Sequence, residues 1–258
     1  MLGCSGFVTM TTLEDRLKRF SFPDGEFDNN VRRTYLALRL WVGGIGFCLP
    51  IVLVLWGLTR EIPWHQMTSI SAFYWLRTPT SDHPLLRDWF VGSLCAVGIA
   101  LVIYKGYGLL ENWLLNLAGL TLIVVALEPM AWSVTESTGG TFSVHGTAAV
   151  IFFLLIAATI WFCAGNTLHK GLDDQVRLRW LRIYKIFAIA MVAAPLVAFV
   201  VSKQGQWTIW VETLGIWIFS SYWFTKTYEL LKVSEIEPMS KPAPKLKWVG
   251  GELRVGGD

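Results

Sequence analysis

Charge is what this sequence has little of. Only 16% of its 258 residues are Asp, Glu, Lys or Arg, while 53% are hydrophobic. A soluble domain of this size carries about 25% charged residues, so most of the surface is not built to face water. The net charge of +3 is too small for a nucleic-acid partner, and the basic residues stand beside apolar runs. The four cysteines, Cys4, Cys48, Cys95 and Cys163, show no CxxC or CxxCH spacing. That excludes the usual frameworks for a disulfide scaffold, a zinc site or c-type haem. HxxxH, HExxH and GxSxG motifs are missing, and no glycine-rich phosphate loop follows a strand. No cleavable leader is expected, because Glu14, Asp15, Arg16, Lys18 and Arg19 follow the weakly apolar first ten residues. No internal repeat supports an inverted-repeat transporter.

What is abundant is apolar sequence in long runs, with 14 Trp among the aromatics. About 20 apolar residues as helix cross a bilayer core. Six stretches qualify: Tyr35–Gly57, Asp88–Tyr107, Asn112–Trp132, His145–Gly165, Tyr184–Ser202 and Trp207–Leu231. In lipid each must be helical, since backbone polar groups find no water there. The expected fold is an all-α, polytopic bundle of six spans. Residues 1–34 form an N-terminal tail with an interfacial helix at Leu13–Phe22. Residues 35–232 form the membrane domain, and 233–258 a flexible tail. Pro50 and Pro195 are expected to kink spans one and five.

Basic residues set the expected orientation. Arg16, Lys18, Arg19, Arg32 and Arg33 precede span one. Lys170, Arg177, Arg179, Arg182 and Lys185 lie between spans four and five, and Lys226, Lys232, Lys241, Lys245, Lys247 and Arg254 near the C-terminus. The connection between spans three and four has none, and that between five and six has Lys203 alone. The positive-inside rule then places both termini in the cytoplasm, and the expected location is a bacterial inner membrane.

Ionisable groups near spans are functional candidates by default. Asp88, Glu128, His145 and Glu212 fall at the outer ends of four spans, under the aromatic connection 58–87. That connection adds Ser69, Ser71, Tyr74 and Arg87. The expectation is a polar pocket at the outer leaflet with this segment as its lid, binding a lipid or amphiphile. Arg87 would hold an anionic headgroup, and His145 with a carboxylate would supply any acid–base step. A charge network fixing helix ends is the bland alternative. A metal held by His145, His65 or His83, Asp88 and Glu128, and a Ser–His–Asp hydrolase on Ser69 or Ser71, rank lower for want of motif spacing. No metal or cofactor is expected. Membrane lipids, and a membrane protein in the case of an accessory subunit, are the expected partners. Transport ranks below both, because the centres of spans two, four and five are apolar. On the cytoplasmic side Arg39, Lys105, Glu111, Asn112, Asn116 and Lys226 lie near span ends, with Asn116 a candidate for an interhelical bond.

The run Ser69-Ile70-Ser71-Ala72-Phe73-Tyr74, followed by Arg87-Asp88-Trp89-Phe90-Val91-Gly92, resembles a group of uncharacterised bacterial six-span membrane proteins. They carry an SIS-aromatic-Tyr segment and then Arg-Asp-x-Phe-Val-Gly. Tyr104-Lys105-Gly106-Tyr107, Asn116-Leu117-Ala118-Gly119, His145 and Glu212 also match, and the resemblance spans Tyr35 to Lys226. It departs at Phe73-Tyr74-Trp75, bulkier than the Tyr-Tyr of that pattern. A more distant similarity runs to the DRAM and Frag-type six-span proteins. These resemblances imply a fold and a topology and carry no activity.

Overall fold

The computed structural model describes residues 26–77, 85–130, 143–168, 173–201, 207–236, 246–249 and 252–255. Six long helices form the body: α1 Glu26–Thr59, α2 Leu85–Ile103, α3 Leu109–Leu127, α4 Val144–Cys163, α5 Asp174–Val201 and α6 Trp207–Ile236. A short antiparallel hairpin, β1 Leu246–Val249 and β2 Glu252–Val255, follows them, with Val249 opposite Glu252. The segment 233–258, read as a tail, thus contains the last turn of α6 and two strands. The expected interfacial helix at Leu13–Phe22 lies outside the described residues.

Each helix packs on its neighbours in chain order and α6 returns to α1, giving a closed ring. Among these six seams the one between α1 and α2 is the sparsest. The helices start and stop for local reasons. Ser143 caps α4, its hydroxyl accepting from the Gly146 N–H at 3.0 Å. Glu111 and Asn112 in the first turn of α3 accept from the Tyr107 and Gly106 N–H groups. α1 ends where Glu61 adopts φ +61°, with Ile62 N–H returning to the Gly57 carbonyl. This arrangement satisfies carbonyls that a helix end leaves open. Pro50 and Pro195 sit inside α1 and α5.

The apolar surface faces outward as well as inward. Trp41, Ile103, Leu120, Phe162, Ile189, Leu196 and Trp210 are all exposed, far beyond the patch that a soluble monomer tolerates. Five helical stretches are long and apolar enough to cross a bilayer: Asn29–Thr59, Leu86–Ile103, Leu109–Leu127, Val144–Thr167 and Asp174–Val197. The chain is therefore a multi-pass helical membrane protein.

Inside the ring, Val97, Leu101, Leu122, Phe152, Ile156, Met191, Phe219 and Trp223 form one core. A second core lies under the connection between α1 and α2, where Met67, Ile70 and Phe73 pack on Leu49, Leu53, Leu86, Phe90 and Ile209. This connection, the lid, is thus folded onto the bundle and buried through its own apolar residues. α2 and α3 approach to backbone contact: a Cβ on Gly119 would lie 2.4 Å from the Gly98 carbonyl oxygen.

Candidate functional site

The lid closes one end of the ring through polar bonds as well as apolar ones. Glu212, in the second turn of α6, accepts from the Ser69 hydroxyl at 2.7 Å and from the Ile70 N–H at 2.6 Å. The Thr68 carbonyl accepts from the Ile209 N–H at 3.0 Å, satisfying one of the amides a helix start leaves open. Ser71 reaches the other side: its hydroxyl lies 2.9 Å from Nε2 of His145, whose Nδ1 lies 2.8 Å from the Glu128 carbonyl. A carbonyl only accepts, so in the neutral ring Nδ1 carries the proton and Nε2 accepts from Ser71. Trp75 adds a bond from Nε1 to the Met130 carbonyl at 2.6 Å.

Four of the residues expected from sequence therefore meet: Ser69, Ser71, His145 and Glu212. Glu128 joins through its backbone, its side chain being exposed, because α3 ends at Leu127 and the carbonyl of the next residue turns toward α4. Asp88 does not join them. The inward face of α2 carries Leu86, Phe90 and Val97, and Asp88, two residues from both Leu86 and Phe90, projects outward. There it lies 3.8 Å from Arg87, both half-exposed. The Arg87 guanidinium sits 5.7 Å over the ring of Tyr74. The expected single pocket is thus two places, an interior cluster and an outer Arg87–Asp88–Tyr74 group.

Directly beneath the lid lies a cavity of about 120 Å³. Ser71 and Glu212 line it at the lid, Ser93 at the side, and Leu49, Phe90, Val97, Phe152 and Phe219 deeper in. Five helices contribute to its wall, all but α5. It is an apolar chamber with a polar roof. Chemically, Ser71 and His145 make a hydroxyl–imidazole pair of the geometry used for proton transfer. The Ile70 N–H and Ser69 hydroxyl, the lid donors next to Ser71, are taken by Glu212. Among the described residues no three metal-ligating side chains gather.

A second polar cluster occupies the opposite end of the ring, and sequence reading largely missed it. Arg39, 1% exposed, donates to the hydroxyls of Tyr104 at 2.8 Å and Tyr35 at 3.0 Å, and no carboxylate among the described residues lies within ion-pair reach of it. The Tyr104 phenol, itself 1% exposed, serves Arg39 as an acceptor. Beside them Lys226, 2% exposed, pairs with Glu229, 0% exposed, at 2.7 Å. Glu229 also accepts from Thr167 at 3.0 Å and from Tyr184 at 2.5 Å. Lys226 and Glu229 stand one turn apart on α6, and that i, i+3 spacing is the signal that was available. Asn116 does not make its expected interhelical bond through Oδ1, which is buried without a partner.

The class this defines is a helical membrane protein with a polar-roofed apolar cavity at one end and a buried ionic cluster at the other. Set against models of protein families, curated proteins and solved structures, the chain matches none.

Proposed function

We propose that the cavity binds an apolar chain of a lipid or amphiphile beneath its polar roof of Ser71 and Glu212. The observation that carries this is the composition of one wall: Ser71 and Glu212 line the same chamber as Leu49, Phe90, Phe152 and Phe219. Such a chamber, comparable to a 150 Å³ cavity that takes benzene, suits an alkyl chain. The test is native mass spectrometry of the purified protein. Wild type is expected to retain a small amphiphile, and Val97→Trp, which fills the chamber, to lose it while keeping its helical circular dichroism. Equal retention in both would sink the reading. Glu212→Ala separates binding from clamping: it leaves the Ile70 N–H without its acceptor, at about 1–3 kcal/mol, and the Ser69 hydroxyl with only the Met130 sulfur to donate to, at 3.9 Å, so lid amides should exchange faster.

The topology that goes with this reading has α6 as a sixth crossing and both termini in the cytoplasm of a bacterial inner membrane. α6 has 30 residues, about 45 Å at 1.5 Å per residue, enough for a bilayer core. Its Trp, Tyr, Ser and Thr content and Glu212 lower its hydropathy. Arg32, Arg33, Arg177, Arg179, Arg182 and Lys232 then share the far side from the lid. A fluorescent protein fused after Ile236 should mature and glow, and alkaline phosphatase fused at Arg77 should be active. The reverse pattern inverts the topology.

A further inference from the structure

The outer wall of the cavity is thin at one seam. A surface groove between α1 and α2 is lined by Ile45, Asp88, Trp89, Gly92, Ser93 and Ala96. Two of these residues, Ile45 and Ser93, also line the interior cavity. One layer of side chains thus separates the cavity from the lipid-facing surface, at the sparsest seam of the ring. The groove floor is small: a Cβ built on Gly92 meets nothing within 4 Å. On the other flank of α2 a second groove joins Tyr74, Arg87, Val91, Ala126 and Leu127. Asp88 and Gly92 belong to both, so α2 forms a saddle with a groove on each side.

The head of that saddle carries opposite charges. The Arg87–Asp88 pair, half-exposed at 3.8 Å, stands five to six residues before Ser93, or about 7.5–9 Å along the helix at 1.5 Å per residue. That offset matches a headgroup above the first methylenes of its chains. A cation beside an anion complements a phosphate beside an ammonium.

We infer that the α1–α2 seam is a lateral doorway. A zwitterionic phospholipid of the outer leaflet sits astride α2, its phosphate on Arg87 and its ammonium by Asp88. One acyl chain passes between Ile45 and Ser93 into the cavity, while the other lies along Val91, Ala126 and Leu127. This rests on the cavity reading above and names its ligand class and its route.

The experiment uses the full chain in nanodiscs of phosphatidylcholine, doped with a phosphatidylcholine bearing a diazirine in one chain. After irradiation, adducts are mapped by peptide mass spectrometry. Wild type should be labelled at doorway residues Trp89 or Ser93 and at cavity residues Phe152, Phe153 or Phe219. Gly92→Leu with Ala96→Trp fills the groove without touching the cavity lining, and cavity labelling should fall at least about tenfold. Gly92→Leu alone, at a position with open space, serves if the double variant fails to fold. Undiminished cavity labelling in the plugged variants overturns the doorway and leaves the cavity reading standing. No cavity labelling in wild type overturns both. A diazirine phosphatidylglycerol that labels the cavity as well as the phosphatidylcholine does, or Arg87→Ala/Asp88→Ala labelling equal to wild type, overturns the headgroup assignment.

Discussion

Glu229→Ala should be among the most damaging single substitutions in this chain, costing ~3–5 kcal/mol because it strands the buried ammonium of Lys226. The carboxylate is completely buried and receives bonds from Lys226, Thr167 and Tyr184, which sit on α6, the turn after α4, and α5. Removing it also takes the acceptor from the Tyr184 hydroxyl and leaves Thr167 only the Ala164 carbonyl at 3.4 Å. The measurement is unfolding in mixed micelles as the fraction of denaturing detergent rises. The informative companion is Lys226→Met with Glu229→Leu, which removes both charges together. Replacing a whole buried ion pair by apolar residues of similar size is often neutral or stabilising. A double variant as unstable as Glu229→Ala would show that the hydroxyl network, and not the stranded charge, sets the cost.

Gly119→Ala is expected to destabilise the bundle by roughly 2–3 kcal/mol, the upper range for overpacking. The added methyl would stand 2.4 Å from the Gly98 carbonyl oxygen and 2.8 Å from the Val102 side chain. A side chain can rotate away, but the carbonyl belongs to the backbone of α2, so the helices themselves must part. The same detergent titration reads this. Gly44→Ala on α1, where a Cβ meets nothing within 4 Å, is the matched control and should change stability by no more than ~0.5 kcal/mol. Equal effects at the two positions would remove close helix contact as the explanation.

The helices were legible because the rule behind them is crude and strong: a bilayer core demands about 20 apolar residues in a row. Their ends were less so. α5 begins at Asp174, ten residues before the expected span, and α1 at Glu26. Arg177, Arg179 and Arg182 continue the backbone hydrogen bonding of α5, and hydropathy does not register that. The two strands were readable in principle, since Leu246–Val249 and Glu252–Val255 flank Gly250-Gly251, a two-residue hairpin signal. Proline-rich surroundings hid them.

At the candidate site, Ser69, Ser71, His145 and Glu212 could be found because polar residues near apolar spans are few. Asp88 was misplaced because depth along a helix says nothing about which side a residue faces. Only the pattern Leu86, Phe90, Val97 carries that, and it turns Asp88 outward. Lys226 was read as a basic residue at a span end, the position from which lysines ordinarily reach water. Glu229 one turn later draws it inward instead.

α6 is held at two points along its length. Glu212 ties it to the lid, and Lys226 with Glu229 ties it to the turn after α4 and to α5. The two attachments are 14 to 17 residues apart, or about 21–26 Å at the helical rise. A stiff strut pinned near both ends cannot twist or slide at one without straining the other. Whatever shifts the lid therefore loads the ionic knot at the opposite end of the bundle through a single helix.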